Sequence, residues 1–143
     1  MFSHITVGCS DLDISSRFYD AILLPLGLVR RLVPPRPGRL WSCWIMPGAE
    51  LPRFYIYLPY DGRPCTSGNG SMVAFVAPNP ESVDAAYENG IKEGGTDDGK
   101  PGPRDRYGAG YYGAYIRDPD GNKIHLVYRG DLLPRAPDAV AIK

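Results

Sequence analysis

The feature that most constrains the fold is a pattern that occurs twice. Ile14, Phe18 and Ile22 stand four residues apart, and Val83, Tyr87 and Ile91 repeat that spacing 69 residues later. A spacing of four places three apolar side chains on one stripe of a helix. The approach to each stripe is also alike. In the first copy the run His4–Cys9 alternates Ile5, Val7 and Cys9 against His4, Thr6 and Gly8, the period of a half-buried strand. Ser10 then serves as a helix N-cap, with Asp13 as its capping-box partner. In the second copy Ser71–Val76 is the strand, Asn79 the N-cap, and Pro80 fits the first helical position. Pro25 and Gly27 end the first helix, and Gly94-Gly95 the second. A matched strand, cap and stripe at one offset imply an internal duplication, each copy about half the chain.

Further strand-like segments complete each copy. The first holds Leu28–Val33, Arg39–Met46 and Arg53–Leu58; the second holds Thr96–Lys100, Tyr111–Arg117 and Lys123–Tyr128. Asp118-Pro119-Asp120-Gly121-Asn122 between the last two is a hairpin turn: Pro presets φ, Gly accepts a positive φ, and Asp and Asn bond their own backbone. Each copy therefore reads strand–helix–strand–strand–strand, an α+β class with two βαβββ modules in tandem. Module one spans 1–60, a linker 61–70, module two 71–129, and a tail with little periodicity 130–143. Pro34–Gly38 is a proline-rich turn inside module one.

Composition narrows the function classes. With 143 residues the chain is expected to be one domain with a core large enough to need no staple. Sixteen basic residues balance sixteen acidic ones, so the footprint of a nucleic-acid binder or a polybasic membrane surface is missing. No apolar run approaches the roughly 20 residues of a membrane span. The start, Met1-Phe2-Ser3-His4, lacks the charged and apolar regions of a signal peptide. Cys9, Cys43 and Cys65 are odd in number and widely spaced, neither a disulfide framework nor a zinc pattern. A cytoplasmic protein with reduced thiols is the resulting expectation. Phosphate-loop and nucleophile-elbow motifs are missing too, and Gly68-Asn69-Gly70 reads as a linker turn.

His4-Ile5-Thr6-Val7, Asp11-Leu12, Phe18-Tyr19, Gly68–Phe75, Gly110-Tyr111-Tyr112 and Asp118–Ile124 occur in the order and spacing of a known group. In these positions the chain resembles the vicinal-oxygen-chelate superfamily of glyoxalases, bleomycin-resistance proteins and extradiol dioxygenases, from about His4 to Arg129. The resemblance implies mixed sheets curled around a shared cavity, a small-molecule ligand, a homodimer, and a divalent metal such as zinc, nickel, iron or manganese. The family's ligand positions, commonly alternating His and Glu, fall on His4, Tyr55 (or Tyr57), Met72 and His125. His4 matches the pattern. Tyr, Met and His stand where Glu, His and Glu are usual. Where the resembling enzymes use that final Glu as a base, His125 is the candidate catalytic residue, and its ordinary pKa of about 6.5 suits that work.

The residues leave two functions open. The chain has two histidines, both at candidate ligand positions, which favours a metal site formed by His4 and His125. Two imidazoles make a thin site, however. A catalytic zinc usually has three protein ligands, Met is a soft thioether, and Tyr must lose a proton of pKa about 10 to bind. Wall hydrogen-bonding therefore stands beside metal binding as a role for both histidines. Tyr55, Tyr57, Met72, Tyr107 and Tyr111 are the candidate ligand-contact residues, because aromatics on a concave sheet line apolar pockets with a few polar tips. Core packing is the competing explanation for each. Arg104-Asp105-Arg106-Tyr107 is either a solvated loop or a closing loop whose Arg would suit an anion. The candidates are thus a metal-dependent lyase, like lactoylglutathione lyase, or dioxygenase, and a metal-free binding protein of the bleomycin-resistance type.

Overall fold

The computed structural model describes residues 1–32, 37–38 and 41–132. The proline-rich turn expected at Pro34–Gly38 lies largely outside them, as does the tail beyond residue 132. Module one runs β1 (His4–Gly8), α1 (Leu12–Leu23), β2 (Val29–Arg30), β3 (Trp41–Ile45) and β4 (Arg53–Tyr57). Module two runs β5 (Val73–Val76), α2 (Pro80–Lys92), β6 (Thr96–Pro103), β7 (Tyr111–Arg117) and β8 (Lys123–Arg129). The strand orders are β1-β4-β3-β2 and β5-β8-β7-β6, the same order twice. In each sheet the first strand pairs parallel with the last, and the other pairs are antiparallel. The duplicated pattern at the 69-residue offset is therefore a duplicated βαβββ unit.

Local chemistry differs from expectation at one cap. Asp11, not Ser10, caps α1, accepting from the Ile14 amide at 2.8 Å. Ser10 is drawn away because both its amide and its hydroxyl donate to Asp120 of module two. At α2 the expected cap holds: Asn79 accepts from the Ser82 amide, with Pro80 in the first turn. The apolar stripes are buried in part. Phe18, Ile22 and Val83 are fully buried, whereas Ile14 (43% exposed) and Ile91 (39% exposed) sit at outer helix ends beyond the core. Thr96–Pro103 pairs with β7 through two register shifts, an irregularity that suits its Gly- and Pro-rich sequence.

One apolar core serves both modules. Phe18, Tyr19 and Ile22 of α1 join Trp44, Phe54 and Ile56 of the first sheet, and Val83 and Ala86 of α2 join Ala114, Ile116, Ile124 and Leu126 of the second. Phe54 and Phe75 bridge the sheets, with ring centroids 5.0 Å apart and nearly perpendicular. The helices approach closely at Gly90, where an added Cβ would come within 2.8 Å of Ile22 and 2.7 Å of Ile116. Both helix-bearing sheet faces thus feed a single interior. The opposite face of each sheet, carrying His4 in one and His125 in the other, points away from that interior. The two sheets remain separate, open four-stranded layers. The expected curling around a cavity shared by His4 and His125 is not formed within one chain. The physical reason is that the shared core uses the sheets' other faces.

The hairpin turn of module two locks this arrangement. Asp118 is buried and accepts from the Tyr19 hydroxyl of α1 at 2.7 Å, from the Asn122 amide side chain at 2.7 Å, and from the Asp120 and Asn122 backbone amides at 2.9 Å. The Asn122 side chain also donates to the Gly8 carbonyl of β1 at 2.9 Å. Asp120 accepts from Ser10 and Ser15. Burial pushes the Asp118 carboxyl up from its ordinary value, while these donors pull it back. Asp118→Ala should strand several buried donors and lower unfolding stability by about 3 kcal/mol or more. Urea denaturation measures this; a loss under about 1 kcal/mol would show that the turn does not hold the modules together.

Candidate functional site

His125 occupies the middle of β8, and strand alternation turns it to the outer face while Ile124 and Leu126 face the core. Its ring is nonetheless 2% exposed, because neighbours on that face cover it. Tyr115, its register partner on β7, stacks on it with centroids 4.1 Å apart at 9°. Gly113, also on β7, makes room for the ring: a Cβ there would lie 2.5 Å from Cε1. Nδ1 lies 2.9 Å from the Ala114 carbonyl, which can only accept, so Nδ1 carries the proton. Nε2 lies 2.8 Å from the Tyr111 hydroxyl and accepts from it. Both nitrogens are thus bonded, Nε2 accepting from Tyr111 while the imidazole is neutral. Burial first, then the charges of Arg104, Lys123 and Arg129, hold its pKa below the ordinary 6.5. Burial pushes the Tyr111 phenol up, which keeps it a donor near neutrality.

Around this pair the outer face of module two is aromatic and cationic. Tyr107 and Tyr111 rings lie 5.2 Å apart. Arg129 lies over Tyr111, Arg106 over Tyr107, and Lys123 and Arg104 over Tyr115, at 4.8 to 5.9 Å from the ring centroids. Beside His125 on β5, Ala74 is its register partner, and Val76 is 65% exposed. Met72, just before β5, is also exposed.

The outer face of module one gathers the other expected residues. His4, Thr6, Trp41, Tyr55 and Tyr57 line one open cavity of about 340 Å³. His4 meets Tyr55 edge-on at 5.6 Å, and its Nδ1 is 3.0 Å from the Ser3 hydroxyl. The structure thus brings His4, Tyr55 and Tyr57 together, and His125, Tyr107 and Tyr111 together. It does not bring His4 to His125. Sequence reasoning did not foresee that Tyr115 stacks on His125, nor that Gly113 makes room for the ring. Counting back symmetrically from the Asp118–Asn122 turn would have paired Tyr115 with His125. The roles of Lys123 and Arg129 carried no such signal.

The residues at the four implied metal positions do not fit a divalent cation as they stand. A metal on His125 Nε2 would have to displace the Tyr111 hydroxyl. Tyr55 would have to ionise, and Met72 offers a soft thioether. Among the described residues, no group of three or more His, Cys, Asp or Glu gathers at a spacing suited to a metal ion. What the arrangement can do is bind. It offers aromatic walls, the free lone pairs of the Tyr111 hydroxyl, and nearby cations.

Comparison with known proteins adds a lineage to this geometry. A family model described as Glyoxalase/Bleomycin resistance protein/Dioxygenase superfamily matches residues 1–126. The chain is 27% identical over 129 residues to a lactoylglutathione lyase from Arabidopsis thaliana, covering 90% of this chain and 44% of that protein. It therefore spans less than half the length of that curated relative. It is 42% identical to a glyoxalase/bleomycin resistance protein from Albidiferax ferrireducens, with a TM-score of 0.75, covering 90% of this chain and 98% of that one. A mutant glyoxalase I from Zea mays, 22% identical, shares the fold with a TM-score of 0.66 over 91% of this chain and 45% of its own.

The hydrogen-bonded, buried His125 should titrate below the ordinary imidazole value of 6.5. Because the unfolded chain then binds a proton that the folded chain does not, His125 contributes a loss of stability as pH falls below about 6.5. NMR titration of the ring, assigned with a His4→Gln variant, checks this. A midpoint at or above 6.5 would mean that the imidazole is not buried and bonded as described.

Proposed function

Starting from the fact that this chain belongs to the glyoxalase/bleomycin resistance protein/dioxygenase superfamily, we propose that it binds a small, flat organic molecule without a resident metal. The observation that carries the reading is the Tyr111–His125–Ala114 arrangement. Nδ1 is held by the Ala114 carbonyl, and Nε2, the nitrogen left for a ligand, is taken by the Tyr111 hydroxyl, which suits a wall residue. The reading is of the sequestering, bleomycin-resistance kind, in preference to metal-dependent lyase or dioxygenase chemistry. In it, Tyr107 and Tyr111 of module two contact the ligand, with Met72 at the rim. His125 is a positioning residue that orients the Tyr111 hydroxyl by accepting its hydrogen bond.

The ligand cavity is completed by a second copy of the chain. The outer face of module one is a shallow, aromatic half-cavity of His4, Trp41, Tyr55 and Tyr57, and the outer face of module two is another. Each leaves exposed apolar surface in a monomer: Trp41 is 40% exposed, Met72 46% and Val76 65%. A two-fold homodimer that sets module one of each copy against module two of the other would bury both faces and bring His4 and His125 to opposite walls of one cavity. Such an interface would bury about 1,200 Å² or more in total.

Two measurements test the proposal. Sedimentation at tens of micromolar should give a dimer; a monomer alone would contradict the shared cavity. NMR titration with neutral 2-naphthamide in the presence of EDTA should shift the ring signals of Tyr111, Tyr115 and His125. Silence at those signals, or binding that requires added zinc, would contradict the metal-free reading.

A further inference from the structure

The cations around the module-two face are not equivalent. Arg117 and Lys123 share Asp98, at 2.9 and 3.5 Å. Arg129 is held by both oxygens of Asp131, at 2.9 and 2.8 Å. Of the four cations over the tyrosine rings, Lys123 and Arg129 thereby have carboxylate partners, Lys123 sharing its one with Arg117. Arg104 and Arg106 have none: among the described residues no carboxylate lies within ion-pair distance of either, Asp105 between them included.

Of the two, Arg104 is fixed in place by its side-chain hydrogen bonds, whereas Arg106 is exposed and makes none among the described residues. Nη2 donates to the Lys100 carbonyl at 2.8 Å and Nη1 to the Pro103 carbonyl at 3.2 Å. Neutral carbonyls orient the guanidinium without cancelling its charge. β6 makes room for it. A Cβ at Gly102 would lie 3.2 Å from Nη1, and one at Gly99 would lie 3.6 Å from Nη2 and 3.0 Å from the Tyr115 ring. The register of β6 shifts on either side of Gly99, which lets the strand bend where the side chain crosses. The result is a held, unpaired cation 5.9 Å above Tyr115. Its own backbone is tied to the tyrosine cluster, since its amide donates to the Tyr111 carbonyl and the Tyr107 amide donates to its carbonyl. Two of its five N–H donors are used, leaving three for a ligand.

We propose that the module-two face selects planar aromatic monoanions, whose flat body lies against Tyr107 and Tyr111 and whose carboxylate is received by Arg104. The inference rests on the aromatic face of module two being the ligand surface, and it adds the charge of the ligand. Arg suits this task because its rigid fork of donors matches a carboxylate. Arg104 acts here as a specificity-determining residue. Lys123 and Arg129 already hold carboxylates, and Arg106, exposed and unheld over Tyr107, adds positive charge without presenting a fixed fork.

The test compares 2-naphthoate with its neutral amide, 2-naphthamide, on the full chain, following the Tyr111, Tyr115 and His125 ring signals. The wild type should bind the acid at least about tenfold more tightly than the amide. Arg104→Gln should bring the two within about twofold while leaving amide affinity unchanged, and Arg104→Lys should keep part of the preference. Arg63→Gln removes the same charge at the linker, where Arg63 meets Asp61, and should leave the preference intact. If Arg104→Gln perturbs the Tyr111–His125 signals before any ligand is added, the salt response of the wild type decides. Raising NaCl from about 50 to about 500 mM should weaken the acid and spare the amide. Equal binding of acid and amide by the wild type, a preference that survives in Arg104→Gln, or no salt response would overturn the inference while leaving the aromatic face a binding surface. Silence with both probes would overturn the surface itself and the inference with it.

Discussion

The fold depends on one buried carboxylate. Asp118 accepts four hydrogen bonds, one of them from Tyr19 of the other module, and Asn122 beside it reaches back to the first strand. A five-residue turn therefore ends a hairpin and fastens two duplicated units into one body. The sheets are set with their helix-bearing faces on a common core, and their remaining faces point outward. Everything argued about function follows from that orientation. A single chain offers two half-sites that do not meet, and the residues on each are exposed only as far as their own sheet allows.

That placement changes what the two histidines mean. His4 is at an exposed strand edge beside Tyr55, whereas His125 is sealed between Tyr115, Tyr111 and the Ala114 carbonyl. A buried imidazole satisfied on both nitrogens contributes through packing and through the orientation of its partner's hydroxyl. The chemistry of the outer face then belongs to Tyr111 and to the cations around it. Of these, Arg104 differs by being held on carbonyls and not on a carboxylate.

Much of the fold was legible because helices and hairpins are local. The stripes at spacing four, the Asn79 cap and the Asp118–Asn122 turn each depend on a few neighbouring residues. The cap at Ser10 was misread for a non-local reason: its hydroxyl bonds Asp120, 110 residues away. β6 was a weak signal because its Gly- and Pro-rich sequence lacks alternation; its pairing with β7 supplies the order. The site was legible by halves. Alternation along β8 is enough to put His125 on the face opposite Ile124 and Leu126, but its sealing by Tyr111 and Tyr115 depends on hairpin register. The unpaired state of Arg104 depends on where Asp98 and Asp131 spend their charge, and no local pattern carries that.

The proposed metal-free function rests on His125 being a neutral, internally bonded wall residue. Elemental analysis of protein purified without chelators, paired with the His125 ring signals before and after adding zinc or nickel, tests it most directly. The account predicts well under one equivalent of any divalent transition metal per chain, and ring signals unmoved by either ion. A stoichiometric metal that shifts His125 and breaks its bond to Tyr111 would contradict it.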